Sequence, residues 1–563
     1  MTLAEVALTV RQRLLPRRSD YTGLTKSYRS DIVAGITVGV VALPLALAFG
    51  VSSGVGAGAG LITAIVAGIV AAVFGGSNFQ VSGPTGAMTV VLLPIVARFG
   101  AAAVVPVAMM AGVMVLALGL FGLGRAVAYI PWPVVEGFTI GIAVIIFLQQ
   151  VPLALDVPRP EGENTALVAW RALMAADWSA ALWPLLVVAI VVVILVVMPR
   201  LNRTIPASIV AIVVGTLVVV RAGWTMSTIG PLPTGLPTPS LPVLDTGSTS
   251  ALFSAALAVA ALAAIESLLS ARVADGMTSS SRYDPDRELV GQGLANVASG
   301  LFGGMPATGA IARTAVNVRA GARTRVSAIV HSVLLIVVVL FGGALVAVIP
   351  LAALAGVLMV TAVRMIDRRA ALSVLRSTRS DALVLIATAT ATVLLDLIVA
   401  VEIGIAIAAV LALRAMARSS TLDREAITPD EGADGAGSAG SEQSLLHEHI
   451  AVYRIDGALF FGATQRFLDT LVEVTDVRVV VLRLAGVRVL DASGAHALEE
   501  IIDDLQSRGI AVILQGVRPE QVPTLTAVGA LAKLASRHHV VDGLGDAVQH
   551  ARTHVRRQLS AFE

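Results

Sequence analysis

The chain has 563 residues, of which 56% are hydrophobic and only 14% charged, against roughly 25% charged in an average soluble domain. Its formal net charge of +2 gives no basis for a nucleic-acid partner, and the absence of cysteine excludes disulfides, thiolate metal sites and cysteine catalysis. The charge deficit lies in the first three quarters of the chain, where apolar runs of about 18 residues or more recur, so the sequence reads as a polytopic membrane protein with a soluble tail.

Residues 1–30 are polar and rich in arginine (Arg11, Arg13, Arg17, Arg18, Arg29), which is not the pattern of a signal peptide. They are expected to form a cytoplasmic N-terminal segment. Spans are predicted near 32–50, 56–74, 84–98, 102–123, 132–151, 181–199 and 204–221. A Pro/Gly/Thr-rich stretch from Gly230 to Ser250 interrupts the pattern. A second set follows near 251–271, 288–302, 308–320, 325–343, 349–363, 380–397 and 401–417. If the N-terminus is inside, alternation places Arg125, Arg200, Arg203, Arg272, Arg319, Arg323, Arg364, Arg368, Arg369, Arg376 and Arg414 in inside loops. Only Arg98, Arg159, Arg171 and Arg221 fall outside. That asymmetry satisfies the positive-inside rule. Seven is odd, so the halves 31–222 and 251–418 insert with opposite orientation, as an inverted repeat.

Residues 419–445 are rich in Ser, Gly, Asp and Glu and read as a flexible cytoplasmic linker. Beyond it, 446–563 reads as a small α/β domain. Strands are predicted at 451–455, 477–484 and 510–514, and helices at 495–506, 520–528 and 544–557.

Two places break the helical pattern in the same way. Phe74-Gly75-Gly76 is followed, after a polar gap, by Pro84-Thr85-Gly86-Ala87-Met88. Phe302-Gly303-Gly304 is followed by Pro306 and then Thr308-Gly309-Ala310-Ile311. Gly/Pro-interrupted spans at corresponding places in two halves point to a transporter binding site. A helix N-terminus carries about half a positive charge and unpaired N–H donors, so two half-helices meeting head to head make a pocket suited to an anion. Thr85 and Thr308 add hydroxyls that can donate to an oxyanion. Ordinary proline kinks that only aid packing are the plain alternative.

Arg313 lies about one turn into the second half-helix. At membrane depth an arginine marks a functional site by default; the alternative is that it reaches a cytoplasmic interface beside Arg319 and Arg323. Glu266 is the lone carboxylate between Asp245 and Asp275. Burial disfavours its charge and a nearby arginine favours it, so its protonation can follow the bound anion; a permanent structural ion pair is the alternative. Ser270 and, with less weight, Ser267 share its helix. In the first span, Pro44 frees a carbonyl and Phe49 can reach a central site or simply pack. In the tail, Asp491 or Ser493 can cap a helix, and Ser493 can also accept a phosphate. No phosphate loop, metal cluster or nucleophile–base pair is read from the sequence, so neither an enzyme nor a cofactor is expected.

Asp31-Ile-Val-Ala-Gly-Ile-Thr-Val-Gly39, Ala42-Leu-Pro-Leu-Ala-Leu-Ala-Phe49, Ser82-Gly-Pro-Thr85 and Arg287-Glu-Leu-Val-Gly-Gln-Gly-Leu-Ala-Asn296 together resemble the SulP family of anion transporters. Asp491-Ala-Ser-Gly494 resembles the STAS domain that ends such chains. The resemblance implies an all-α membrane domain of fourteen spans as a 7+7 inverted repeat, divided into uracil-permease-like core and gate domains, with a cytoplasmic α/β STAS domain. It implies a homodimer in a bacterial inner membrane with both termini cytoplasmic, and elevator-like alternating access. It also implies that Leu45, Phe49, Thr85, Gly309, Ala310 and Arg313 hold the anion, and that Glu266 and Ser270 serve the coupling ion.

Within the family the motifs are most similar to those of bacterial sodium-dependent bicarbonate transporters. Those carriers look to have Asp in place of Glu266 and a sodium-binding Thr in place of Ile311. A longer carboxylate and a lost hydroxyl turn the expectation from sodium to proton. The expected function is therefore secondary active transport of an inorganic anion, sulfate or bicarbonate, with proton symport. Sodium-coupled bicarbonate transport, C4-dicarboxylate transport and a membrane-anchored STAS signalling scaffold are the alternatives.

Overall fold

The computed structural model describes residues 15–17, 24–125, 131–162, 164–202, 206–241, 249–278, 282–395, 397–419, 421–425, 449–459, 477–534 and 536–559. The chain divides into two units, Met1–Ala406 and Ile407–Glu563.

In the first unit each expected span coincides with a helix. The first half contains α1 (Leu24–Ser52), α2 (Ala57–Phe74), the short strand β1 (Ser82–Gly83), α3 (Gly86–Phe99), α4 (Val104–Leu120), α5 (Trp132–Gln149), α6 (Thr165–Ala175), α7 (Trp178–Leu201) and α8 (Ala207–Ala222). The second contains α9 (Thr249–Met277), α10 (Pro285–Leu301), β2 (Thr308–Gly309), α11 (Ile311–Arg319), α12 (Val326–Phe341), α13 (Leu351–Met365), α14 (Arg368–Ser377), α15 (Arg379–Leu394) and α16 (Leu397–Ser419), whose last turns run past the division. Six helices among the described residues are long and apolar enough to cross a membrane by themselves, and the order is consistent with the fourteen-span count.

α3 and α11 define the fold by the way they begin. With 14 and 9 residues they extend only about 21 and 14 Å, short of the roughly 30 Å hydrocarbon core. Each is entered from a two-residue strand, and the strands pair antiparallel, Ser82 with Gly309 and Gly83 with Thr308. Non-helical backbone at this depth is tolerated only where protein satisfies it, and this pairing does part of that. Around it α2, α4, α10 and α12 pack closely, while α5, α7, α8, α13 and α15 form a second group. These are the core and gate of the expected fold.

Two helices of ten residues or more stand where the sequence reads only connections. α6 is started by Asn164, whose side chain accepts from Leu167 N at 3.1 Å. α14 buries Ala371 and Val374 and exposes its arginines. Its charge hides an amphipathic period too short to register beside the long apolar runs.

The second unit is a six-stranded sheet: β3 (Thr421–Glu425), β4 (Ile450–Leu459), β5 (Val479–Arg483), β7 (Ala511–Gln515) and β8 (Val540–Val541) in that order, with β6 (Val487–Leu490) also on β4. All pairs are parallel except β3–β4. Helices α17 (Ala492–Ser507) and α18 (Val522–Val528) join the core that contains Val480, Leu482 and Leu514. Helix α19 (Leu544–Leu559) buries Ala547, Ala551 and Val555 against Val479, Val481 and Ile513. Alternation along β5 thus feeds both faces. β3 corrects the expected linker. Residues 421–425 lie within 419–445, yet they pair with 452–456 as an edge strand. Backbone pairing with an available edge does not require apolar side chains, so polar composition misleads there. Residues 426–448 lie outside the described residues.

Candidate functional site

The crossing of the two broken helices brings together most of the predicted site residues. Thr85 is the N-cap residue of α3, but its hydroxyl does not cap. It donates to Glu266 Oε2 on α9 at 2.9 Å. Thr308, in β2, donates to the same oxygen at 2.7 Å. The two hydroxyls are 3.3 Å apart. Glu266 is half-buried, and its Oε1 takes no hydrogen bond among the described residues. The carboxylate therefore occupies the hydroxyl donors that the sequence assigns to an anion.

Gly309 passes so close to Gln80 that a Cβ there would stand 1.9 Å from the amide nitrogen. Its N–H donates to Ser267 Oγ at 3.0 Å. Ala310 is the N-cap residue of α11, and its N–H is used by Val81 O at 2.9 Å. The donors left for a ligand are thus the amides that follow, at Gly86, Ala87 and Met88 and at Ile311, Ala312 and Arg313, which an α-helix leaves without internal partners. Phe49 lies beside them: its ring edge is 3.4 Å from where a Gly86 Cβ would be. Leu45, one turn earlier on α1, is also buried.

Arg313 is 2% exposed and does not reach an interface. Its Nη2 donates to Pro84 O at 2.5 Å, across from one break to the other. Nη1 has no partner among the described residues and lies against Gly83, where a Cβ would stand 2.7 Å away. Arg313 and Glu266 are not in ion-pair contact. Ser270, expected to serve the coupling ion with Glu266, makes its contact elsewhere at the crossing. Its hydroxyl is 3.0 Å from Thr314 Oγ1, which accepts from Val81 N at 3.1 Å. Ser270 and Glu266 are four positions apart, one helical turn, so their side chains meet different parts of the crossing.

Several fasteners of the site are not legible as such in the sequence. α10 carries Glu288, Gln292, Asn296 and Ser299 along one buried face. Glu288 Oε2 accepts from Gly76 N and Ser77 N at 2.9 and 3.0 Å, and Gln292 bonds Ser82. Asn296 holds both the N–H and the carbonyl of Ala307, at 2.8 and 2.9 Å, and Ser299 donates to Met305 O at 2.7 Å. The i, i+4, i+8 spacing of the first three inside a span is the signal that marks such a stripe. His331 on α12 is fully buried near Arg313, with Nε2 unpartnered among the described residues; a lone histidine in an apolar run carries no such signal.

A cavity of about 560 Å³ lies between core and gate, lined by Val90, Pro94, Ile145, Ser254, Ala258 and Leu394 among others. It begins one helical turn from Gly86, and the side chain of the neighbouring Ile146 closes over that glycine, its Cδ1 2.2 Å from a hypothetical Cβ. In the second unit Asp491, not Ser493, caps α17, accepting from Gly494 N at 2.8 Å. Ser493 is exposed in the first turn.

Two half-helices crossing at a half-buried carboxylate, in a helix order consistent with a seven-plus-seven repeat, have the architecture of a secondary transporter. Residues 28–388 match the sulfate permease family and residues 444–547 the STAS domain. The chain is 35% identical over 520 residues to the putative sulfate transporter YvdB of Bacillus subtilis, covering 91% of this chain and 96% of that protein. It is 34% identical over 505 residues to the bicarbonate transporter BicA of Synechocystis sp., covering 87% and 88%. Among solved structures, the transmembrane domain of a cyanobacterial bicarbonate transporter BicA aligns with a TM-score of 0.61 at 35% identity, over 67% of this chain and 97% of that one. SLC26A9 shares the fold, with a TM-score of 0.82 at 16% identity over 100% and 96%. The chain belongs to the sulfate permease family of membrane anion transporters and ends in a STAS domain.

Proposed function

We propose that this protein is a proton-coupled symporter of a small inorganic oxyanion, sulfate or bicarbonate, in a bacterial inner membrane. It works as a homodimer with both termini in the cytoplasm, and the core moves against the gate as an elevator. The observation that carries this reading is the shared grip of Thr85 and Thr308 on one oxygen of Glu266. Here the carboxylate takes the two hydroxyl donors. An anion seated between the N-termini of α3 and α11 would lie close to that charge. Two unit charges about 4 Å apart repel by about 4 kcal/mol at an effective dielectric constant of about 20, near three orders of magnitude in affinity. A proton on Glu266 removes the repulsion and lets the hydroxyls turn to the anion. By linkage, protonation tightens anion binding as much as the anion favours protonation.

Sodium would need several oxygen ligands in one place. Ile311, at the first position of α11, offers none from its side chain. The names of the relatives support both sulfate and bicarbonate as cargo. The deciding experiment is uptake into proteoliposomes of labelled sulfate, bicarbonate and fumarate under separate proton and sodium gradients. Accumulation of one of the first two, driven by a proton gradient alone, is expected. Accumulation driven only by sodium, or of fumarate alone, overturns the reading.

A further inference from the structure

The second unit holds a cluster that plays no part in the transport reading. His550 and His554 are four residues apart on α19 and so share one face of that helix. His539 lies in the turn just before β8. The three rings meet edge to face, with centroids 4.8 to 5.3 Å apart, and one nitrogen from each lies within 4.8 Å of the others. His539 is 1% exposed. Its Nδ1 is 2.9 Å from Val512 O. A carbonyl only accepts, so Nδ1 carries the hydrogen and Nε2 keeps its lone pair. That Nε2 is 3.1 Å from His554 Nε2, and His550 Nε2 is buried with no partner among the described residues.

We infer that His539, His550 and His554 form a three-imidazole site for a divalent transition-metal ion of the zinc type, which clasps the C-terminal helix to the STAS sheet. Two features favour an ion over a mere stack of rings. A tetrahedral ion with ligand nitrogens at 2.0–2.1 Å holds those nitrogens roughly 3.3 Å apart, so from pairs that start at 3.1 Å and lie within 4.8 Å the closest opens slightly and the wider ones draw in by rotation of the half-buried rings. The Val512 carbonyl orients the His539 ring and fixes its tautomer, as the outer partners of metal-bound histidines do. The donor set is all imidazole, without a carboxylate. It therefore suits Zn²⁺, Ni²⁺, Cu²⁺ or Co²⁺ and not Mg²⁺ or Ca²⁺. His550 and His554 are only half-buried, so an ion can reach the site, and a water or anion can complete its coordination.

The test uses full-length, tag-free protein in detergent, stripped with chelator and titrated with Co²⁺, with Zn²⁺ as competitor. One ion per chain is expected, with visible ligand-field bands of tetrahedral Co²⁺ that Zn²⁺ abolishes and Mg²⁺ does not. His550→Gln and His554→Gln should each weaken binding by more than about tenfold, since loss of an outer partner alone is worth 10–100-fold. The double variant should bind no ion. His550→Gln alters a half-buried position, and its circular dichroism should match the wild type. Stoichiometry clearly below one in the wild type, octahedral Co²⁺ bands, or unchanged affinity in a folded double variant overturns the assignment.

Discussion

The first break, Phe74 to Met88, and the second, Phe302 to Arg313, begin alike, each leaving a helix through Phe-Gly-Gly and returning through Thr-Gly-Ala. Their matching residues do not occupy matching places. Thr85 sits at the N-cap of its half-helix, whereas Thr308 sits in its strand, two residues before the cap at Ala310. Both hydroxyls nevertheless arrive at one oxygen of Glu266. The helices leading into the breaks differ more. α2 is almost wholly apolar, and its Thr63 accepts from Met305 N at 2.7 Å in the opposite break. α10 carries the polar stripe that fastens both breaks. The first half thus contributes mainly backbone and the hydroxyls of Thr63, Ser82 and Thr85. The second contributes Glu266, Glu288, Asn296 and Arg313. An inverted repeat can keep its backbone symmetric while the chemistry collects on one side.

The largest effect is expected where the second half reaches into the first. Arg313→Ala removes the buried cation and leaves Pro84 O without its donor. Hydrogen bonds from charged groups are worth about 1.5–3 kcal/mol each, and the site loses its one full positive charge among the groups described at the crossing. Saturable uptake should vanish in proteoliposomes, while Arg313→Lys should retain a measurable fraction. An alanine variant with wild-type affinity would remove Arg313 from the site and leave the breaks equivalent.

Glu266→Gln should come next. The amide imitates the protonated carboxyl, so anion binding or exchange should survive while pH-driven accumulation is lost. Sodium added at constant pH should leave the wild-type rate unchanged. A saturable sodium stimulation that disappears in the glutamine variant would instead make Glu266 a sodium ligand. The two threonines then compare the breaks directly. Thr85→Val and Thr308→Val each delete one donor to a charged acceptor, so the anion concentration at half-maximal uptake should rise by about 10- to 100-fold. Thr308→Val should have the larger effect, because its bond is shorter and its residue wholly buried. Equal effects would mean that the offset between the breaks has no consequence for binding.

Much of this was legible in the chain because long apolar runs and paired Gly/Pro interruptions are signals of composition and period. Glu266 and Arg313 were legible because charge inside a span is rare. Roles were less so. Ala310 is a neighbour of Gly309 in sequence, yet its N–H belongs to the strand pairing. Asn296 and Gln292 belong to a motif whose meaning lies in the backbone it touches, and no periodicity names a distant carbonyl. β3 was missed because an edge strand needs only a partner's free N–H and C=O groups, which leave no trace in its own composition. His539 joins His550 and His554 only through tertiary packing, although the spacing of the latter two was visible.

The smallest expected effect separates the fastening of the crossing from its chemistry. Ser270 shares a helix with Glu266, and by sequence the two belong together. Its hydroxyl, however, meets Thr314, and Thr314 holds Val81 N. This small chain fixes the approach of the first break to α11 and does not reach the Glu266 carboxylate. Ser270→Ala deletes one neutral hydrogen bond, worth about 0.5–1.5 kcal/mol. Thr314 can still accept from Val81, so no backbone donor is stranded. The melting temperature of the purified protein should fall by a few degrees at most. The pH dependence of uptake should superimpose on that of the wild type, with half-saturation changed less than about threefold. Thr314→Val should be worse, because it strands Val81 N–H as well, but it too should leave the pH profile in place. A shifted pH profile in Ser270→Ala would tie Ser270 to the proton, and the fastening and the chemistry would then be one network rather than two.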